Sequence, residues 1–248
     1  MATFHLQVEG LTSLAIDGTS TPTEAELSQF LIDGVLEVTT KWLLVSPQDR
    51  NLFVRESAEY DSNSSSPFSD EVDLVSVLRE AGTTGDFRFC KEIPVALESR
   101  AQETSSLFYA SKYHPVYTRN ANGVIKVFPE PTGGGANSYK VLYINNEPKG
   151  DGTSDSLAHG HSAIGYFPSK LVNLVVMYAS IKALEAKIAS FTIDDEDSEL
   201  VQSLSNSYNN LRGQYDQYFG LKAKAMQPKQ QPAPQEQTQQ QPPQEQEE

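Results

Sequence analysis

Two histidines separated by one glycine, His159 and His161, have the residue type and spacing that could support metal chemistry. Two imidazoles this close could bind one transition metal, with Asp155 or His114 as further ligands. Metal sites, however, usually combine helical or tight-turn spacings with a third defined ligand, and this pair lies in a Gly/Ser-rich stretch. We therefore expect the two histidines to lie in a solvent-exposed loop without a physiological metal.

Two other motifs fall short of established ligand-binding patterns. The triple glycine at residues 133–135 is not followed by Lys-Ser or Lys-Thr, and it does not open a helix after a strand as phosphate-binding loops do. The acidic run at residues 194–197 lacks the alternating spacing, central glycine and distal glutamate of a calcium loop. Acidic residues are favoured at the start of a helix by its dipole, and that preference explains the run without a cation.

The sequence carries no signature of a catalytic nucleophile. The chain has no Gly-x-Ser-x-Gly motif, and Ser162 is only a sequence neighbour of His161. Cys90 follows Phe89, a context typical of a small buried hydrophobic residue. Carboxylate pairs of the kind that hydrolyse glycosides come together only in the fold, so the sequence leaves that alternative open. We predict a protein that is not an enzyme and has no cofactor, no metal and no catalytic residue.

Charge narrows the classes of partner. The 248 residues include 19 Lys and Arg against 33 Asp and Glu, which gives a net charge of −14. Sequence-specific nucleic-acid binding needs clustered cations, so this balance argues against it. DNA that must slide past the protein without adhering remains compatible with the charge.

Cysteine content and hydropathy indicate where the protein is made. With one cysteine the chain has no intramolecular disulfide, as is typical of synthesis in a reducing cytoplasm. The first eleven residues lack the basic and apolar regions of a signal peptide. No apolar run reaches the roughly 18 residues of a membrane span. We expect a soluble protein that does not contact membranes.

The strongest structural pattern is a pair of apolar helical stripes in residues 166–226. The first helix starts at Pro168, a break is expected at residues 190–195, and the second helix follows with apolar residues three and four apart. Such a pair predicts an antiparallel helical hairpin. The candidate seam consists of Leu171, Leu174, Tyr178 and Ile181 on the first helix, and Val201, Leu204, Tyr208, Leu211 and Tyr215, with Tyr218, on the second.

A further helix is predicted near the amino end, from Thr23 to Lys41. A threonine cap and early acidic residues mark its start, and Ser46-Pro47 marks its end. Gly34, inside this helix, would permit a close approach to another helix. Residues 1–20 alternate weakly between apolar and polar types and are predicted to be an edge strand or a mobile arm. Residues 21–45 and 166–226 are predicted to form one helical bundle.

Residues 46–165 have the composition of a β-rich insertion with long loops. Strands are expected at residues 72–78, 113–118, 124–128 and 139–145, and the middle two are joined by an Asn-Gly turn as a hairpin. The aromatic residues Tyr113, Tyr117 and Phe128 suit either a sheet core or an interface, and they are our candidate β interface. Stacking on carbohydrate is a third reading.

Residues 227–248 are rich in Gln, Pro and Glu and lack aliphatic branched and aromatic side chains, so we expect a disordered tail. A proline-rich ligand for a partner is the alternative. The whole pattern predicts an α+β protein made of a helical bundle, an inserted antiparallel β-rich region and this tail.

The order of helix, β insertion and carboxyl-terminal helical hairpin resembles the head-to-tail adaptor (connector or neck) proteins of tailed bacteriophages. The segments that carry the likeness are Val124-Ile125-Lys126-Val127-Phe128-Pro129-Glu130-Pro131, Tyr139-Lys140-Val141-Leu142-Tyr143-Ile144, and residues 167–184 with their Phe-Pro-Ser-Lys-Leu start. The resemblance spans residues 21–220 in pattern and order. The long β insertion and the Gln/Pro-rich end depart from the compact members of the family.

The resemblance implies a structural virion protein at the head–tail junction. It implies a homo-oligomeric ring, dodecameric in such adaptors, that binds the portal protein and tail or nozzle proteins while DNA passes through its lumen. The alternatives are another minor capsid or tail component, a non-viral scaffold that works through the helical hairpin, and a carbohydrate-binding or hydrolytic enzyme.

Overall fold

The computed structural model of the protein describes residues 2–63, 73–120, 123–132, 136–144, 148–151, 155–194 and 198–226. Within these residues the chain is α+β, with helices and largely antiparallel sheets, as the sequence predicts. The triple glycine at 133–135, most of the acidic run at 194–197, part of the hairpin turn and the tail at 227–248 lie outside the described residues.

The first element is a helix, α1 (Phe4–Thr12), where we predicted an edge strand or a mobile arm. That prediction is wrong because Phe4, Val8 and Thr12 recur at helical spacing and are all buried. Thr3 caps the helix by accepting a hydrogen bond from the Leu6 N–H (3.4 Å). The exposed Leu6 on its outer side gave the misleading appearance of alternation.

Helix α2 (Glu24–Val45) begins where predicted and ends four residues later than the predicted Lys41. Thr23 and Glu26 form a reciprocal capping box, with Thr23 N–H donating to Glu26 Oε2 at 2.7 Å. The predicted apolar face is buried, and its residues are Leu27, Leu31, Val35, Val38 and Trp42.

Helix α4 (Val172–Asp194) is the centre of the helical part and packs against α1, α2 and helix α5 (Ser198–Met226). A 3-10 turn, Ser169–Leu171, leads into α4, which then runs through most of the predicted break at 190–195. Because three helices cover it, its buried residues are not confined to the predicted stripe. They are Leu174, Val175, Val176, Met177, Ala179, Ser180, Ile181, Ala183 and Leu184.

Gly34 of α2 lies at a close contact between α2 and α4, which is the role predicted for it. A Cβ placed on Gly34 would lie 3.0 Å from Tyr178 Cδ1 and 3.2 Å from Val175 Cγ1. Even a methyl group would be tighter than ordinary contact here, so glycine lets the two helix backbones pack close together.

A four-stranded antiparallel sheet has the order β1 (Val54–Glu56), β7 (Tyr139–Ile144), β2 (Leu74–Glu80) and β3 (Phe87–Phe89). The long strands β2 and β7 pair with Val77 opposite Val141. Val77, Tyr139 and Val141 are fully buried in a core that also contains Cys90. The end of β7 reaches the helical core through Ile144.

A three-stranded sheet has the order β4 (Lys91–Glu92), β5 (Val116–Arg119) and β6 (Ile125–Phe128). The predicted hairpin is confirmed, since β5 and β6 are antiparallel with Val116 opposite Phe128. Strand β5 begins three residues later than predicted, after Pro115, which has no N–H to donate to a ladder. Strand β4 pairs with β5 in parallel, so the insertion is not wholly antiparallel. The short helix α3 (Glu98–Gln102) lies between β4 and β5 in the chain.

Candidate interaction surface

One surface feature of the β-rich part is the aromatic segment, which we define as residues 107–113, between α3 and β5. Leu107 is fully exposed, and Phe108, Tyr109 and Tyr113 are 50%, 43% and 57% exposed. Single exposed apolar residues are common, but four large ones within seven residues make this segment a candidate contact surface. Of the three residues proposed for the β interface, Tyr113 lies here.

The aromatic segment is held in place by backbone hydrogen bonds. Ala110 is buried and its N–H donates to the Ala101 carbonyl of α3 at 2.9 Å. Tyr109 N–H donates to the Ser106 carbonyl at 3.1 Å, and this hydrogen bond closes a turn just before Ala110. Residue 115 is fixed as well, because its carbonyl accepts from Lys91 N–H at 3.0 Å. The aromatic side chains therefore project from a fixed backbone.

The other two residues of the predicted β interface, Tyr117 and Phe128, are in the core rather than on the surface. Phe128 is 1% exposed and packs with the small cluster around Ala101 and Ala110. Tyr117 is 7% exposed and its hydroxyl donates to Glu92 Oε2 at 3.1 Å. Burial, with a smaller contribution from the Glu92 carboxylate, raises the pKa of Tyr117 to about 12. Both residues stabilise the fold and are not available to a partner.

The candidate seam residues fall into two groups by burial. Leu171, Leu174 and Ile181 before and within α4, and Leu204, Leu211 and Tyr215 of α5, are buried in the same hydrophobic core. Tyr178, Val201 and Tyr208 are half-buried. The rings of Tyr178 and Tyr215 are 6.3 Å apart between centroids, and burial raises the pKa of Tyr215.

Tyr218, which the heptad spacing assigned to the seam, is 41% exposed, and Phe219 takes the interior position instead. Phe219 packs edge-on against Tyr215 with centroids 5.2 Å apart. A straight α-helix drifts by about 20° per heptad from a strict seven-residue repeat, so the buried stripe advances by four residues here rather than three.

The His159–His161 loop is docked against the helices, which corrects the expectation of a solvent-exposed loop. Phe4 N–H donates to the His161 carbonyl at 2.8 Å, and His5 N–H donates to the His159 carbonyl at 3.0 Å. His159 Nδ1 is 3.1 Å from Ser28 Oγ of α2. The loop therefore joins the starts of α1 and α2.

The histidine rings have protein partners of their own. His161 Nδ1 accepts a hydrogen bond from Ala158 N–H at 3.0 Å, and its ring covers Gly150, where any side chain would overlap it. His5 and His159 meet edge to face with centroids 5.9 Å apart. In the part of the chain that the structure describes, no three His, Cys, Asp or Glu side chains are grouped so as to hold a metal ion.

Two buried charged residues, Arg79 and Glu80, escaped the sequence analysis. Glu80 accepts hydrogen bonds from Gly85 N–H at 3.0 Å and from Ser138 Oγ at 2.8 Å. These bonds, led by that from Gly85, lower the pKa of Glu80. Arg79 Nε donates to the Pro129 carbonyl at 2.8 Å. The pair ties together the loops that follow β2 and β6, and its partners are backbone or hydroxyl groups, as in a structural network.

The buried Cys90 gives a direct test of the β core. Burial raises the pKa of the Cys90 thiol to about 12, so at pH 8 the reactive thiolate is scarce and shielded. We expect a thiol-specific reagent to label the native protein slowly at pH 8 and to label it completely once urea unfolds it. Absorbance of the released product measures the rate of labelling. Rapid stoichiometric labelling of the native protein would contradict the buried position of Cys90.

The cleft beside α2 does not gather ionisable groups as an acid–base site would. The cleft between α2 and the end of β7 has a volume of about 420 Å³ and is lined by Leu36, Leu43, Leu44 and Ile144, with Asp73 as its charged residue. A single carboxylate among leucines and threonines does not make an acid–base pair.

Comparison with protein-family models finds no match, and no curated protein sequence matches the chain. Among the described residues, no helix has both the length and the hydropathy to cross a membrane.

Proposed function

We propose that this protein is a structural component of a tailed-bacteriophage particle, a head-to-tail adaptor that forms a ring under the portal and extends the DNA channel toward the tail. The proposal places the protein at the head–tail junction of the virion after synthesis in the host cytoplasm. Its partners are further copies of itself, the portal protein and tail or nozzle proteins. Its role is mechanical rather than catalytic.

The observation that carries the proposal is the enclosure of α4 by α1, α2 and α5, with the β-rich insertion lying between α2 and α4 in the chain. This order of helical body and β insertion is the one that resembles the adaptors. The helical body provides a rigid scaffold, and the insertion presents the aromatic segment, residues 107–113, to a partner.

We propose that α4 and α5 form the antiparallel hairpin of this scaffold. Tyr178 of α4 meets Tyr215 of α5, whereas Ile188 and Tyr208 line a common cleft. Contacts thus move back along α4 as they move forward along α5, which is the register of an antiparallel pair. In this arrangement α2 completes the bundle, through Gly34 against α4.

Charge supports a role beside passing DNA. The net charge of −14 repels a phosphate backbone, so a lumen with this excess of carboxylates would let DNA move without holding it. Carboxylates in the wall of a DNA channel have the same sign of charge as the phosphates. DNA therefore gains no counterion release by binding to them and is not held there.

The test is quantitative mass spectrometry of gradient-purified particles from the source culture, with peptide amounts scaled to the portal protein. We expect about one copy of this chain per portal subunit, because a ring matched to the portal has a fixed stoichiometry. The major capsid protein is the internal control, since its copy number is far higher. Absence of the chain from the particles would contradict the proposal and leave a non-viral helical scaffold as the explanation.

A further inference from the structure

We propose that the aromatic segment, residues 107–113, is the surface by which one copy of this chain binds the acidic surface of a second copy. The ring itself rests on the proposed function, whereas the choice of this surface and of this occupant rests on the side chains, backbone and charges described here.

The first argument is the kind of side chain that the segment exposes. Phe108, Tyr109 and Tyr113 are each between 43% and 57% exposed, beside the fully exposed Leu107. Aromatic residues are enriched at the centres of protein interfaces, because they bury a large area and lose few rotamers on binding. Three such residues, with the exposed Leu107 beside them, supply the anchor of a contact.

The second argument is that the segment is already ordered. The buried Ala110, bonded to the Ala101 carbonyl at 2.9 Å, pins the middle of the segment. The His114 N–H donates to the Ser111 carbonyl at 3.1 Å and fixes its end. A surface that keeps its shape in the free protein loses little conformational entropy when it binds.

The third argument is the local charge, which is opposite to that of the rest of the chain. Residues 86–126 contain six Lys or Arg and four Asp or Glu, so the remaining residues contain 13 basic and 29 acidic ones. Among the described residues, the exposed Arg100 and Lys112 form no ion pair. Lys112 Nζ lies 5.0 Å from the Tyr113 ring centroid, so a cation stands directly beside the aromatic surface.

A second copy of this chain is electrostatically complementary to the segment, because it carries a large excess of carboxylates outside residues 86–126. Two aromatic segments facing each other would instead bring their cations together. The contact is therefore heterologous, with the segment of one copy on a different, acidic face of the next. A heterologous contact repeated with a closing rotation builds a ring, and one repeated without closure builds a filament.

The experiment mixes full-length chain labelled with ¹⁴N and with ¹⁵N, and treats the mixture with a carbodiimide that joins lysines to carboxylates in direct contact. Sedimentation velocity measures association in the same samples, at the highest soluble concentration and at low and high salt. We expect mixed-isotope cross-links from Lys112 to carboxylates outside residues 86–126, and association that weakens as salt rises.

The matched variants separate this surface from apolar exposure in general. Leu107→Ser, Phe108→Ser and Tyr113→Ser combined should weaken association by about tenfold or more, and Lys112→Glu should weaken it in the same direction. The control is Leu6→Ser with Leu11→Ser, two exposed leucines of α1, which should leave association unchanged. All variants must keep the wild-type circular dichroism spectrum, as expected for exposed positions.

Two results would overturn the inference: a wild-type chain that stays monomeric without mixed cross-links, or a triple variant that associates as well as the wild type. The same cross-linker applied to intact particles separates this inference from the proposed function. If the chain is present at portal stoichiometry but Lys112 is linked only to another protein, the inference fails and the adaptor function stands. If the chain is absent from particles yet associates through the segment, the surface stands and the adaptor function fails.

Discussion

Replacement of Leu204 with aspartate is expected to lower the free energy of unfolding by about 4 kcal/mol, which is a large share of the ~5–15 kcal/mol that holds a typical domain together. Leu204 is 8% exposed and belongs to the core that joins α5 to α4. The substitution removes apolar burial and places a charge among apolar side chains. Urea titration followed by circular dichroism at 222 nm measures the loss.

The matched control for this change is Leu200→Asp, one turn earlier on the same helix. Leu200 is 42% exposed and lies in the first turn of α5, where an acidic side chain is favoured by the helix dipole. We expect its effect to stay within about 0.5 kcal/mol. Equal losses of unfolding free energy for the two variants would show that α5 does not pack on α4 through Leu204, and would contradict the helical core described above.

Replacement of Gly34 with leucine is expected to destabilise the protein by about 3 kcal/mol, by forcing α2 away from α4. The Cβ alone would lie 3.0 Å from the Tyr178 ring and 3.2 Å from Val175 Cγ1, so both side chains would have to shift even before the rest of the leucine side chain is added. Overpacking of this kind usually costs about 1–3 kcal/mol, and leucine adds three further carbons beyond the Cβ.

Gly213→Ala in α5 is the control, because it tests a helix-interior glycine without a neighbour. No heavy atom outside its own helix turn lies within 4 Å of the added Cβ. Alanine should therefore raise stability by about 0.5–1 kcal/mol through its higher helix propensity. The account predicts opposite signs for the two positions in thermal unfolding. A Gly34→Leu variant as stable as the wild type would contradict the close contact of α2 with α4.

Local signals in the sequence were enough to predict the elements whose start or spacing is encoded nearby. Thr23 and Glu26, which form the capping box that begins α2, are only three residues apart, so the start of this helix is encoded locally in the sequence. The Asn-Gly pair similarly predicts the β5–β6 hairpin, and Gly34 predicts a close helix contact. These features depend on residues that are neighbours in the chain.

The missed features depend on partners far away in the chain. Helix α1 is short and is held by the His159–His161 loop, so its weak local pattern did not identify it. Because α1 also covers α4, the burial of α4 is wider than the single stripe that two packed helices would produce.

The candidate surface shows the same limit. Tyr113, Tyr117 and Phe128 are similar aromatic residues in one β-rich region, and composition alone could not tell interface from core. Tyr117 and Thr118 are adjacent and both buried, because β5 is covered on both faces, and the Thr118 hydroxyl donates to Glu98, the first residue of α3. Only the placement of α3 and of the buried Ala110 reveals that the large side chains of residues 107–113 are the exposed ones.

The measurement that tests the central claim most directly is a cryo-electron-microscopy reconstruction of the neck of intact particles, with this structure fitted into the density. The account predicts a ring of this chain between the portal and the tail, with the α2, α4 and α5 bundle recognisable as rods. It also predicts that the aromatic segment, residues 107–113, touches the neighbouring copy in that ring. Density for the chain in the capsid shell or at the tail tip, with another protein filling the neck, would contradict the account.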